Sequence, residues 1–169
     1  MTLKDFILTS NNHFVASQLY KLFFKRVFLV LITKNYIIGL VCNNCLSVEV
    51  DAELSVTHEL DELLIKRGSF HNPLSYLNAK MVKKVANKYL FDRSIFAVDK
   101  VNFRIDRNDI KTVTYNISKA TYLGNLPSNG SIYIETINGT IHQFDLLGEQ
   151  SGKDIVQWIL TKHQAATLN

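Results

Sequence analysis

Ser131-Ile-Tyr-Ile-Glu-Thr-Ile-Asn-Gly-Thr-Ile-His-Gln-Phe-Asp-Leu146 is the stretch from which the fold is read most directly. Two runs rich in β-branched and aromatic residues flank Asn138-Gly139, the dipeptide that best supplies two positive-φ residues in a type I′ turn. The spacing predicts a β-hairpin in which Ser131–Ile137 pairs with Thr140–Leu146. Counting outward from a two-residue turn pairs Ile137 with Thr140 and Thr136 with Ile141, which sets Glu135 opposite His142.

Moving toward the C-terminus, Gly148 stops the second strand and Ser151 can cap a helix, with Asp154 three residues on. Ile155, Val156, Trp158, Ile159 and Leu160 would cover about half the circumference of that helix, a face that must lie on the sheet. Moving toward the N-terminus, Thr112–Ile117 and Asn102–Ile105 read as strands. Further back, Phe28, Val30 and Ile32 alternate with Val27, Leu29 and Leu31, so both faces of that strand are apolar and it is central. Thr33-Lys34-Asn35 makes a turn, Tyr36–Cys42 resumes the sheet, and Leu46–Val50 follows as a further strand. Val15, Leu19, Leu22 and Phe23 keep helical spacing while Tyr20, Leu22 and Phe24 keep strand spacing, which is read as helix to about Leu19 and strand beyond.

Between Asp51 and Asp92 the periodicity turns helical and the charges separate by sign. Glu49, Asp51, Glu53, Glu59, Asp61 and Glu62 form an acidic block, and Thr57 can cap a helix that runs through Ile65 to Arg67 before Gly68. A second helix is predicted from Asn72 as N-cap and Pro73 at the first turn, with Leu74, Leu77, Met81, Val85 and Tyr89 on one stripe. Lys80, Lys83, Lys84 and Lys88 lie beside it. This excursion, about residues 52–92, reads as a helical insertion. With no repeat, low-complexity segment or linker, residues 1–169 are expected to form one α+β domain.

Composition narrows the class. Hydrophobic residues make up 47% of the chain and charged residues 20%, far from the signature of disorder. A net charge of +4 and a pI near 9.0 are too modest to name a partner. The most apolar stretch, Val27–Cys42, is interrupted at Thr33-Lys34-Asn35, whereas a membrane helix needs about 20 mostly apolar residues. The start, Met1 to Leu8, has Asp5 where a secretion signal carries basic residues, and two cysteines are too few for a disulfide framework. A cytoplasmic location is therefore expected, and the sequons at Asn116, Asn129 and Asn138 read as turn chemistry.

Phe28-Leu-Val-Leu-Ile-Thr-Lys34, Phe103-Arg-Ile-Asp-Arg-Asn-Asp-Ile-Lys-Thr-Val113 and the Gly130–Leu147 hairpin with its following Trp158 helix resemble the pleckstrin-homology-like superfold, particularly bacterial PH-like and GRAM-type domains. The resemblance implies a strongly bent antiparallel sheet, or partly open barrel, of about seven strands, plugged by a C-terminal helix with an aromatic anchor, here Trp158. The helical insertion departs from the small domains of that family. Phosphoinositide-binding members use basic residues near the loop joining their first two strands, and Lys21, Lys25 and Arg26 lie in that region.

Four constellations could carry chemistry. Cys42-Asn-Asn-Cys45 has metal or redox spacing, but a zinc site needs a second ligand pair and His58 and His71 do not supply one; a tight hairpin turn flanked by two thiols is the simpler reading. Glu135 with His142 could serve acid–base chemistry, yet no nucleophile or oxyanion donor lies near in sequence. Lys80, Lys84 and Lys88, with Lys83, could contact an anionic lipid or form a solvated helix face. Nucleic acid is not expected, because arginines and aromatics do not interleave, and no cofactor motif is present. The leading expectation is a non-enzymatic binding or scaffolding domain whose partner is a protein or a second copy of itself. An anionic membrane surface or phosphoinositide, contacted by Lys21, Lys25 and Arg26 or by the lysine helix, is the first alternative. A small enzyme whose site is assembled from residues distant in sequence is the second.

Overall fold

In the computed structural model, residues 1–20, 24–47, 72–77, 79–117 and 128–161 are described. The strands are β1 (His13–Tyr20), β2 (Phe24–Ile32), β3 (Tyr36–Ser47), β4 (Phe103–Asp106), β5 (Ile110–Asn116), β6 (Ser128–Thr136) and β7 (Ile141–Leu147). They form one seven-stranded sheet in the order β4-β3-β2-β1-β7-β6-β5. Every neighbouring pair is antiparallel. The helices are α1 (Ala79–Val85) and α2 (Gly152–Leu160), with single 3₁₀ turns at Pro73–Tyr76, Arg93–Ile95 and Arg107–Asp109.

The strand order forces the sheet to curl. β4 and β5 are its two edges, yet only Arg107–Asp109 separates them in the chain. Seven flat strands would hold those edges about 29 Å apart at ~4.8 Å per strand. The chain from Asp106 to Ile110 can span about 14 Å at most. The edges are thus brought together at one corner and the sheet becomes an antiparallel half-barrel.

Curling creates an inside and an outside. Phe14, Ala16, Phe28, Val30, Ile37, Ile132, Ile134, Phe144 and Leu146 alternate inward and form the inner core, which α2 joins through Ile155 and Ile159. Val15, Val27, Leu29, Leu31, Ile38, Leu40 and Cys42 point outward and are buried as well, beneath Leu3, Leu77, Val85, Leu90 and Ile95. Strands β1 to β3 are therefore apolar on both faces because the excursion between β3 and β4 covers their outside. Gly39 serves this packing: it stands opposite Phe103 in the β3–β4 register, and a Cβ there would collide with the Phe103 ring. Phe103 lies 5.4 Å from Phe28 and 5.5 Å from Phe144, bridging the half-barrel.

Helix α2 is capped as the sequence predicts, Ser151 Oγ accepting from the Asp154 N–H. Its deepest residues are Gly152, Ile155 and Ile159; Trp158 is partly buried at the flank and Leu160 is exposed. At its C-terminal end, Arg107 donates to the carbonyls of Trp158, Ile159 and Thr161, while its other terminal nitrogen donates to Thr33 O at 2.8 Å. One guanidinium thus ties the β2–β3 turn and the β4–β5 corner to orphan carbonyls at the helix end. Gln150 acts similarly at the β1–β7 seam. Its side-chain amide accepts from Val15 N–H at 2.8 Å and donates to Val15 O at 2.6 Å, extending a pairing that covers Ala16↔Leu146 and Ser17↔Asp145.

Four local expectations are corrected. The helix expected up to Leu19 is strand β1, because residues buried on both faces of a strand leave no polar alternation to betray it. The strands expected over 36–42 and 46–50 do not break at the cysteines within the described residues. β3 runs through to Ser47, and between the pairs Phe28↔Val41 and Arg26↔Cys45 the residues Cys42, Asn43 and Asn44 oppose Val27 in a bulge. The β6–β7 turn has three residues rather than two: Gly139 N–H donates to Thr136 O, Thr136 N–H donates to Thr140 O, and Gly139 takes φ +84°. This is a type I turn closed by a left-handed glycine, which shifts the register by one. Finally, the stripe from Leu74 to Tyr89 is not one helix. Leu77 adopts an extended conformation between the 3₁₀ turn and α1, and Leu77, Met81 and Val85 are buried whereas Tyr89 is 61% exposed. The helix expected between Thr57 and Arg67 lies outside the described residues.

Candidate functional site

The shifted hairpin register decides one candidate. Glu135 pairs with Ile141, and Ile134 pairs with His142, so the carboxylate and the imidazole fall on opposite faces of the sheet. Glu135 is turned to solvent, where Lys111 Nζ lies 2.7 Å from its carboxylate and holds its pKa below the usual value. His142 is turned inward, its ring 5.7 Å from Phe103 and 6.3 Å from Phe144, and burial lowers its pKa. The two do not form an acid–base pair.

Cys42 belongs to the outer core. Its thiol is 1% exposed and burial pushes its pKa up to about 12, so it has no nucleophilic thiolate at neutral pH. The Cys45 side chain lies outside the described residues. Among the described residues no group of three or more His, Cys, Asp or Glu side chains is placed to hold a metal ion.

The basic residues divide. Lys80 and Lys84 on α1, and Lys88 just beyond it, are exposed, as is Lys83. Lys84 and Lys88 share one shallow groove of about 350 Å³ with Ser94, Ala97 and Val98. Met81 and Val85 of α1 are buried, while Lys84 and Lys88 stay exposed and share the groove with Ser94 of the 3₁₀ turn at Arg93–Ile95. Arg26 is not part of this group. Its Nη1 lies 3.6 Å from Asp99, which engages it in an ion pair. Lys21 and the side chain of Lys25 lie outside the described residues.

Sequence reasoning identified the lysines but missed Ser94, Ala97 and Val98, which face them across the groove from a segment without periodicity. It also missed a polar row across the sheet. Asp145, 3% exposed, accepts from Ser131 Oγ at 2.7 Å and Gln143 Nε2 at 3.1 Å, and stands opposite the fully buried Ser17. Those residues occur in strands read for their hydrophobic alternation, where an occasional serine carries no signal.

No described helix is long and apolar enough to cross a membrane. Comparison of the chain with family models, with curated proteins and with solved structures returns no match.

Proposed function

We propose that the chain is a non-enzymatic binding domain of pleckstrin-homology-like build, whose partner is a protein. The observation that carries this reading is the architecture. A curled antiparallel sheet of seven strands with a C-terminal helix laid into its inner core is what the resemblance leads one to expect. In this reading α2 is the capping helix and the segment from Pro73 to Ile95 is the described part of the insertion.

The partner fits best as an extended segment added beside β5. This strand ends the sheet, pairs with β6 on one side, and presents Lys111, Thr112, Thr114 and Asn116 to solvent, with Ile117 71% exposed beyond its end. A seven-residue edge strand offers main-chain hydrogen bonds to an incoming strand, and alternate side-chain positions supply selectivity. Selection from a displayed random-peptide library, followed by amide hydrogen exchange of the complex, tests it. The expected result is an enriched peptide family that protects amides within residues 110–116. Failure to enrich any peptide, or protection confined to other strands, would overturn the reading.

A further inference from the structure

Asparagine stands before glycine twice in the chain, at Asn129-Gly130 and at Asn138-Gly139, and the binding reading built on β5 uses neither pair. Such a pair is chemically labile, because a glycine nitrogen has no Cβ beside it to hinder attack on the preceding side-chain amide. The fold places the two pairs in opposite surroundings. Asn129 is held from both ends: its Nδ2 donates to Gln150 O at 2.7 Å, and its carbonyl accepts from the Tyr115 hydroxyl at 2.6 Å. Gly130 is buried, and a Cβ there would stand 2.3 Å from Asn116 O and 2.9 Å from the Tyr115 ring. Loss of ammonia from Asn129 would break the bond to Gln150, and the backbone rotation that brings the amide onto the Gly130 nitrogen has no room.

Asn138 differs on each count. It and Gly139 are exposed in the β6–β7 turn, and a Cβ built on Gly139 would meet nothing within 4 Å. Asn138 Oδ1 lies 2.6 Å from Thr136 Oγ1 and accepts from the Thr140 N–H at 3.0 Å. Donors at that oxygen favour the negative charge that an attacking nitrogen places on it. Asn138 Nδ2, the leaving nitrogen, makes no hydrogen bond with a described residue. The Gly139 N–H donates to Thr136 O at 2.9 Å, and this bond must open first; at an exposed turn water replaces it.

We infer that Asn138 is a site of spontaneous deamidation and isomerisation in the folded chain, and that Asn129 is not. The Gly139 nitrogen, having lost its proton to hydroxide, bonds to Asn138 Cγ; the Cγ–Nδ2 bond breaks, ammonia leaves and a succinimide closes. Water then adds to one of the two imide carbonyls. Opening on one side leaves aspartate at 138 on an unaltered backbone, and opening on the other leaves isoaspartate, with the main chain longer by one methylene. The reaction needs only water and hydroxide. Aspartate keeps an acceptor for the Thr140 N–H, whereas the added methylene lengthens a turn whose neighbour, Ile137, donates its N–H to Asp109 O at 2.8 Å at the β4–β5 corner.

The full chain, incubated at mildly alkaline pH both native and in guanidinium, provides the test, with each asparagine followed by peptide mapping and mass spectrometry. In the native chain residue 138 is expected to convert at least about tenfold faster than residue 129, a barrier difference of ~1.4 kcal/mol. In guanidinium the two rates should come within about threefold of each other, since the contacts that separate them are gone. Thr136→Val removes the hydroxyl beside Asn138 Oδ1 and should slow conversion at 138 in the native chain by at least about threefold. Equal native rates at the two positions would overturn the inference. So would an Asn138 that stays intact in the native chain over the time in which the unfolded chain converts, a comparison that requires no variant.

Discussion

At the scale of single residues, Arg107 has the widest reach. Its guanidinium fork meets carbonyls of the β2–β3 turn with one nitrogen and of the α2 terminus with the other, and its backbone N–H donates to Asn35 O at 2.8 Å. Lysine has one compact ammonium and cannot serve both sets at once. Arg107→Ala should therefore cost about 2–3 kcal/mol, in line with loss of charge-assisted hydrogen bonds, and Arg107→Lys should recover less than half of it in urea unfolding. Equal stability of all three proteins would refute the role. Cys42 gives a second residue-scale test. A thiol held near 12 by burial should react with a disulfide reagent at pH 8 no faster than the protein unfolds, provided Cys45 is first replaced by serine. Rapid modification of the folded Cys45→Ser protein would show that Cys42 is not sealed in the outer core.

At the scale of elements, helix α2 is the clearest test of packing. Ile155 and Ile159 occupy the inner core at 1% and 2% exposure, whereas Leu160 is 58% exposed. Ile159→Ala should cost about 2–5 kcal/mol, the range for emptying a buried aliphatic site, and Leu160→Ala less than about 0.5 kcal/mol. Comparable losses at the two positions would place the helix in another register. This helix was legible in the sequence because its cap and its apolar arc agree. What the arc could not say was which of its residues go deepest: Gly152, Ile155 and Ile159 are buried, Gly152 against the Tyr115 ring, and Trp158 is only partly buried. The β6–β7 hairpin was legible as a hairpin and misread in register, since Asn-Gly fits both a two-residue turn and the three-residue turn found here, and the choice rests on hydrogen bonds from Thr136. β1 was illegible for a different reason. Phe14 and Ala16 enter one core and Val15 and Ser17 the other face, so periodicity had no polar side to work with. The lysine groove was half legible: charge marks α1, but the far wall comes from Ser94–Val98 and is joined to it by tertiary packing.

At the scale of the whole molecule, the half-barrel responds to protonation through two partly buried histidines, one on each face of its sheet. His13 lies at the start of β1 on its outer side and His142 at the start of β7 on the inner face; burial lowers both pKa values below 6.5, partly offset at His13 by a hydrogen bond with the Thr9 backbone. A histidine that is harder to protonate in the folded chain leaves the unfolded chain binding more protons as acid is added. The neutral imidazoles thus contribute their full share of stability above pH 6.5, and that share is lost as pH falls from there through the folded pKa values. Thermal unfolding followed by the fluorescence of Trp158 should show a midpoint that is flat near pH 7.5 and begins to fall as the pH drops below about 6.5, before most carboxylates titrate. His142→Phe keeps a ring between Phe103 and Phe144 but removes the proton, so it should flatten part of that slope, and adding His13→Gln should flatten more. Histidines 58, 71 and 163 stay unchanged in both variants and serve as the internal reference. If the pH slopes of the wild type and the double variant coincide, His13 and His142 do not control the acid stability of the fold, and the inner face around Phe103 takes up a charged His142 ring without loss.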